Sequence, residues 1–291
     1  MIIVNVYGGL GNQMFQYATA YALSRATQQD LKLDTQRFKK DALRDFELSC
    51  FTLETVRATQ EEVTSLRTYE ESLFEKLLRK LKGTKKTLAA SYIKEKFYHF
   101  DETLLSVKSE CYLDGYWQSE KYFSMYREEI LKQFTAKNNL HNDSQVYIEK
   151  MQNTPSVSLH IRRGDYVSNP DANSFHGLCS LAYYKSAVEE MNRQIPNAHY
   201  FIFSDDLVWA KENLTFIDQI SFVDLGEDVP DYEEIILMSQ CEHNVIANSS
   251  FSWWGAWLGE IERRVVIAPK QWFNDSSVNT EDLIPSRWIR L

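Results

Sequence analysis

Cysteine is scarce in this chain: four occur in 291 residues, at positions 50, 111, 179 and 241, more than 60 residues apart and never as C-x-x-C. That spacing excludes a zinc knuckle and a disulfide-stapled miniature fold, and it fits a reducing, cytoplasmic setting. Six prolines and ten glycines are too few for a long flexible linker. Basic residues are outnumbered, 32 Lys and Arg against 41 Asp and Glu, for a net charge of −9. A nucleic-acid partner, which needs a basic footprint to displace counterions, is therefore not expected. No apolar run approaches the length of a transmembrane helix. The opening "MIIVNVYGGLGNQ" lacks a basic n-region and reads as a first strand, not a signal peptide.

What is present is ordinary for a globular protein, 44% hydrophobic and 25% charged. Residues 1–6 read as a buried strand, then glycines lead into an amphipathic helix, and "LKLD" reads as a second strand. The middle, about 60–140, reads as helical and irregular, with "YLDGYWQSEKYF" giving a strand, a turn and the start of an aromatic-rich helix. From Pro155 the pattern becomes regular, with strands at 156–161, "HYFIFS", "ISFVD", "HNVIA" and "RVVIAP". Helices are expected near 181–194, 206–213, 231–240 and 250–262. Such alternation means parallel sheets with helices on both faces. Two α/β halves are expected, 1–150 and 151–291, with the boundary in the polar stretch around "TAKNNLHNDSQ".

Charge is uneven along the chain. From Glu75 to Lys96 there are eight Lys or Arg against two Glu, and from Asp205 to Glu234 ten acids against one Lys. Each run reads first as a solvated face. In the basic run Phe74, Leu77, Leu78 and Leu81 share one helical face. That helix either packs on the core or lies against an anionic membrane surface.

Four stretches carry chemistry. "YGGLGNQ" is a strand, glycine loop and helix, but Met14 stands where the third glycine of a dinucleotide fingerprint belongs, and no G-K-[ST] follows. Gly9 and Gly11 serve either a tight turn or a close ligand, and Asn12 and Gln13 at the helix start suit hydrogen bonds to hydroxyls. "HIRRGDY" ends a buried strand in two arginines. An Arg-Gly-Asp adhesion site belongs on an exposed loop tip, so this placement speaks for an anion instead. Strand alternation puts His160 and Arg162 on one side and Arg163 on the other. Arg162 is read as a bidentate phosphate ligand and Arg163 as an ion-pair partner of Asp165. "FIFSDD" ends another strand with Ser204, Asp205 and Asp206, of which one acid is a helix cap and another could accept from a nucleoside. In "NSSFSWWGAWL", Asn248, Ser249, Ser250 and Phe251 open a helix whose N-terminus is an anion site. The tryptophans behind them read as core.

Together "GGLGNQMFQYA", "HIRRGDY", "FIFSDD" and "NSSFSWWGAWL" resemble the α-1,2-fucosyltransferases of glycosyltransferase family 11, in the family's order and over nearly the whole chain. The H-x-R-R-x-D core is shared with α-1,6- and protein O-fucosyltransferases. The lack of the N-terminal membrane anchor carried by animal members suggests a bacterial type. The resemblance implies a GT-B architecture, two Rossmann-like domains with the active site in the cleft between them. It implies GDP-β-L-fucose as donor and a galactose-terminated glycan as acceptor, fucosylated at O2 with inversion. Arg162 and the Asn248–Phe251 helix start would hold the pyrophosphate, and His160 with Asp205 or Asp206 the nucleoside. The glycine loop would present Asn12, and Asp165 is the first candidate for a base. The metal-binding D-x-D triplet is absent from the sequence, so no divalent ion or other cofactor is expected. Different acceptors, and a carbohydrate-binding module without catalysis, stay open as alternatives. A bacterial acceptor built on a lipid carrier would bring the basic helix against the inner face of the plasma membrane.

Overall fold

In the computed structural model the described residues are 1–41, 43–53, 56–68, 88–164, 174, 177–259 and 263–291. The basic helix expected at 73–86 and Asp165 lie outside them. The chain divides into two compact units, Met1–Lys137 and Asn138–Leu291.

The first unit is a four-stranded parallel sheet. Its strands are β1 (Ile2–Asn5), β2 (Leu31–Asp34), β3 (Tyr92–Lys94) and β4 (Cys111–Asp114), in the order β2-β1-β4-β3. The two central strands are buried along their whole length, as strands covered on both faces are. Helix α1 (Leu10–Thr27) follows β1, and every residue from Leu10 to Ala20 is buried except Asn12. Met14 is itself fully buried, so the helix meets the sheet through side-chain packing and not through a glycine contact. Helices α2 (Gln60–Arg67) and α3 (Arg127–Gln133) complete the described α-helices of this unit, which also has five short 3-10 turns. The strand expected at the start of "YLDGYWQSEKYF" is β4, and the same region contributes β3 as well. β3 has no apolar run to betray it, being three residues at a sheet edge.

The second unit opens with α4 (Asn142–Gln152) and then alternates strand and helix. In chain order come β5 (Ser156–Ile161), α5 (Leu181–Gln194), β6 (His199–Ser204), α6 (Leu207–Asn213), β7 (Ile220–Phe222), α7 (Tyr232–Gln240), β8 (His243–Val245), α8 (Ser250–Leu258), β9 (Val266–Ala268) and β10 (Ile289–Arg290). All pairings are parallel, in the order β10-β9-β8-β5-β6-β7. Numbered within the unit, that is 3-2-1-4-5-6 read from the other edge, the doubly wound dinucleotide-binding order. Val157, Leu159 and Ile161 of β5, Ile202 of β6 and Ala187 and Met191 of α5 form the core on one face. The strand order reverses between β5 and β8, where such sheets leave a crevice at their carboxyl ends.

Helix α8 runs to Leu258, and residues 260–262, to which it was expected to extend, lie outside the described residues. Its C-cap, Gly259, lies so close to α7 that a Cβ there would stand 1.9 Å from the Ser239 carbonyl oxygen. Trp253, Trp254 and Trp257 are fully buried against one another, and the Trp253 indole donates to the Leu283 carbonyl at 2.9 Å. They are core.

Candidate active site

The carboxyl ends of three neighbouring strands, β8, β5 and β6, bring the motifs of the second unit together. β5 ends at Ile161, and the next two residues are each met by an acid from the end of β6. Arg162 Nη1 lies 2.9 Å from Asp205 Oδ2, and Arg163 Nε donates to Asp206 Oδ2 at 3.0 Å. The Arg163 guanidinium also covers the Trp209 ring at 4.2 Å, and its backbone N–H donates to Asp205 Oδ1 at 2.8 Å. Among the described residues the ion-pair partner of Arg163 is therefore Asp206, and the expected partner, Asp165, lies outside them. Asp206 is also the cap of α6, accepting from the Trp209 N–H at 3.0 Å, and these two bonds with the Arg163 charge hold its carboxyl below the usual range. Ser204 Oγ accepts from the Asp206 N–H at 3.0 Å, so Ser-Asp-Asp acts as a clamp for the paired arginines. The chain passes so near Asp205 that a Cβ on Gly164 would lie 2.7 Å from its Oδ2.

His160, on the last turnout of β5, is buried, with its ring 5.9 Å from that of Phe251. Burial, with the Arg162 charge adding to it, pushes its pKa down to about 3, so the ring is neutral. Its Nδ1 has no hydrogen-bond partner among the described residues. An orphaned buried nitrogen calls for an explanation, and this one stands at the carboxyl end of the sheet, where ligands of such folds bind.

At the start of α8 the roles divide. Ser249 is the N-cap, its Oγ accepting from the Phe251 N–H at 3.3 Å. Asn248 is turned inward: its amide donates to the Gly177 and Trp272 carbonyls, both at 3.2 Å, and its Oδ1 meets Cys179 Sγ at 3.4 Å. Asn248 thus ties loops together, while Ser250 and Phe251 contribute backbone at the helix start. A cavity of about 840 Å³ lies beyond Asn248, walled by Cys179, Tyr183, Trp272 and Phe273.

Sequence reasoning missed Glu234. It sits in the first turn of α7, and burial, with Asp231 and Asp205 adding and Arg162 opposing, pushes its carboxyl up to about 7. Its neighbour Glu233 has the opposite fate. Although buried, it accepts from Ser144 Oγ at 2.6 Å and from the His141 ring at 2.7 Å, and these bonds hold it low. The acidic run that contains both gave no sign of the difference.

In the first unit the glycine loop is a turn closed on its own helix. Gly8 adopts φ +81°, Gly9 is the N-cap without a side-chain bond, and Gly11 is buried in the first turn. Gln13 is fully committed to protein: it donates to the Gly8 and Asp45 carbonyls and accepts from the Glu47 N–H. Asn12 reaches the surface, and Gln118 Nε2 donates to its Oδ1 at 2.7 Å. That bond leaves the Asn12 amide N–H groups as the end offered outward. Asp34, at the end of β2, accepts from Tyr112 Oη and the Gln36 N–H.

Comparison with known proteins accords with this geometry. The chain is 34% identical to an alpha-1,2-colitosyltransferase of Escherichia coli, across 100% of this chain and 99% of that protein. It is 36% identical to the O-antigen biosynthesis glycosyltransferase WbnK of Escherichia coli, across 98% of each. It superposes on POFUT1 in complex with GDP-fucose with a TM-score of 0.52 at 13% identity, covering 92% of this chain and 97% of that one, which identifies the fold as GT-B type. Residues 1–291 match Glycosyl transferase family 11, so the chain belongs to that family and is a glycosyltransferase.

Proposed function

We propose that the protein transfers L-fucose from GDP-β-L-fucose to O2 of a terminal β-galactoside with inversion, in the synthesis of a surface glycan. The observation that carries this reading is the arginine clamp at the strand-order reversal of the second sheet, beside the capped start of α8. Asp205 fixes the plane of the Arg162 guanidinium, which then meets the donor β-phosphate as a two-pronged donor. The α8 terminus adds its N–H groups to the same pyrophosphate. As the glycosidic C–O bond breaks, negative charge collects on that phosphate, and preorganised positive charge lowers the barrier. The neutral His160 and the carboxyl groups of Asp205 and Glu234 address the nucleoside. The reaction proceeds without a divalent ion.

Purified protein given GDP-fucose and lactose should release GDP and form a fucosyl-α-1,2-galactoside, and should do so in EDTA. No GDP release with lactose, or activity that EDTA abolishes and Mn²⁺ restores, would overturn the respective part of the reading. The name of the 34%-identical relative favours one alternative, colitose in place of fucose. Parallel assays with GDP-fucose and GDP-colitose separate the two.

A further inference from the structure

The cavity beyond Asn248 is separate from the groups assigned to the donor. Those stand at the ends of β8, β5 and β6, whereas the cavity stands at the ends of β8, β9 and β10, wholly within the second unit. β9 and β10 are clasped at its edge, the Leu291 N–H donating to the Ala268 carbonyl at 3.1 Å and the Lys270 N–H to the Leu291 carbonyl at 2.7 Å. Its walls are fixed by bonds that need no ligand. Tyr183 Oη donates to the Ile246 carbonyl at 2.7 Å, and the Asn248 amide holds the Gly177 and Trp272 carbonyls. Gly177, with φ +69°, passes so near Asn274 that a Cβ there would lie 2.2 Å from its Oδ1. Asn274 Nδ2 in turn donates to the Ser174 carbonyl at 3.3 Å. The space is preformed, as small-ligand sites usually are.

Its volume, about 840 Å³, lies in the upper part of the roughly 300–1,000 Å³ range of such sites and leaves room for more than one sugar ring. Among the described residues two charged side chains line it, Lys270 and Asp275, of opposite sign. A pyrophosphate would call for more positive charge than that. A prenyl chain would strand the hydroxyl and amide groups of Ser186, Gln271 and Thr280 against apolar surface. Tyr183, Trp272 and Phe273 add aromatic surface. Aromatic surface among neutral hydrogen-bonding groups matches a pyranose, which has apolar C–H faces and hydroxyl edges. Ala182 and Ser186, one turn apart on α5, both line the cavity and are both exposed, so small side chains keep this side open to solvent.

We infer that this cavity is a saccharide subsite for the acceptor glycan, holding sugars next to the galactoside that is glycosylated. The assignment rests on the glycosyl-transfer reading above. Asn248 joins the two sites: its side chain holds the cavity wall, and its main chain leads through Ser249 into the start of α8, where the donor diphosphate is placed. An acceptor that reaches the carbon bonded to that diphosphate has the cavity as its neighbouring space. Sugars held there take no part in bond-making. Their contacts are equal in the ground and transition states and so act on KM and not on kcat.

The test compares a short acceptor with a long one. Methyl β-D-galactoside offers no further sugar to the cavity, whereas the tetrasaccharide lacto-N-tetraose carries more rings behind its terminal galactose. In the wild-type protein kcat/KM for the tetrasaccharide should exceed that for the galactoside by about tenfold or more, through KM. Ser186→Trp fills the cavity from an exposed helix position. It should abolish that preference while transfer to methyl β-D-galactoside and the melting temperature hold, and Ala182→Trp should do the same. Saturation-transfer NMR with lacto-N-tetraose and no donor should mark the internal rings in the wild type and leave them unmarked in Ser186→Trp. No preference in the wild type, a preference that both tryptophan variants keep, equal loss of both acceptors, or internal rings unmarked in the wild type would each overturn the subsite. Internal rings marked in the wild type alone, by a protein that transfers no sugar from GDP-fucose or GDP-colitose to either acceptor, would uphold the subsite and overturn the glycosyl-transfer reading.

Discussion

Arg162 and Arg163 are adjacent, carry the same charge, and are held differently. Arg163 donates from Nε to a helix-capping acid and lies on Trp209, so its contacts fasten β5 to α6. Arg162 meets Asp205 through Nη1 and follows His160, whose Nδ1 has no hydrogen-bond partner among the described residues. Lysine at 162 cannot reproduce a planar two-pronged contact with phosphate. Arg162→Lys should therefore lose about 10²–10³ in kcat/KM, as when an oxyanion-hole donor is removed. Arg163→Lys should keep kcat/KM within an order of magnitude and lower the melting temperature. A tolerant 162 beside an intolerant 163 would exchange the two roles. Both arginines were legible in the sequence, because charge at the end of an apolar strand is conspicuous. Glu95 and Glu234 were not. Glu95 stands between Lys94 and Lys96, and Glu234 ends a run of ten acids, so each reads as solvated until the fold buries it.

Among the elements, those with long apolar runs were legible to the residue. β5, β6 and α5 match their expected bounds, because an apolar run bounded by polar residues identifies a covered strand and period 3.6 identifies the helix. β3 and β10, three and two residues long at sheet edges, have no run to read. The end of α8 depends on a contact with Ser239 that no local pattern reports. The same holds for the clip between α4 and α7. Glu233, buried in α7, accepts from Ser144 Oγ and from the ring and backbone of His141. Glu233→Ala would leave these donors without an acceptor, at about 1–3 kcal/mol for each buried group. We expect a fall in melting temperature of about 5–10 °C, read by calorimetry. A shift under about 1 °C would mean that α4 is held by its apolar face alone.

At the scale of the molecule, strand and helix alternation made the parallel sheet of the second unit legible, and three of the four motifs fall at the carboxyl ends of its strands. The polar groups at the carboxyl edge of the first sheet escaped because Tyr7, Arg37, Glu95 and Tyr116 follow four separate strands, with no motif joining them in sequence. The global consequence of such burial is a pH dependence of stability. Glu234 is raised from its ordinary 4.5 to about 7. Between those values the native state keeps a proton that the unfolded chain has released, so stability falls as pH rises through that window and levels off above it. The full contribution is at most about 3 kcal/mol, from 1.36 kcal/mol per unit. Glu234→Gln removes the ionisation and with it the dependence. Denaturant midpoints should therefore converge for wild type and variant near pH 4.5, and the variant should be the more stable at pH 8. A variant that is less stable at pH 8 would show that the Arg162 charge, which opposes the shift, outweighs burial and that Glu234 is ionised in the native protein at neutral pH.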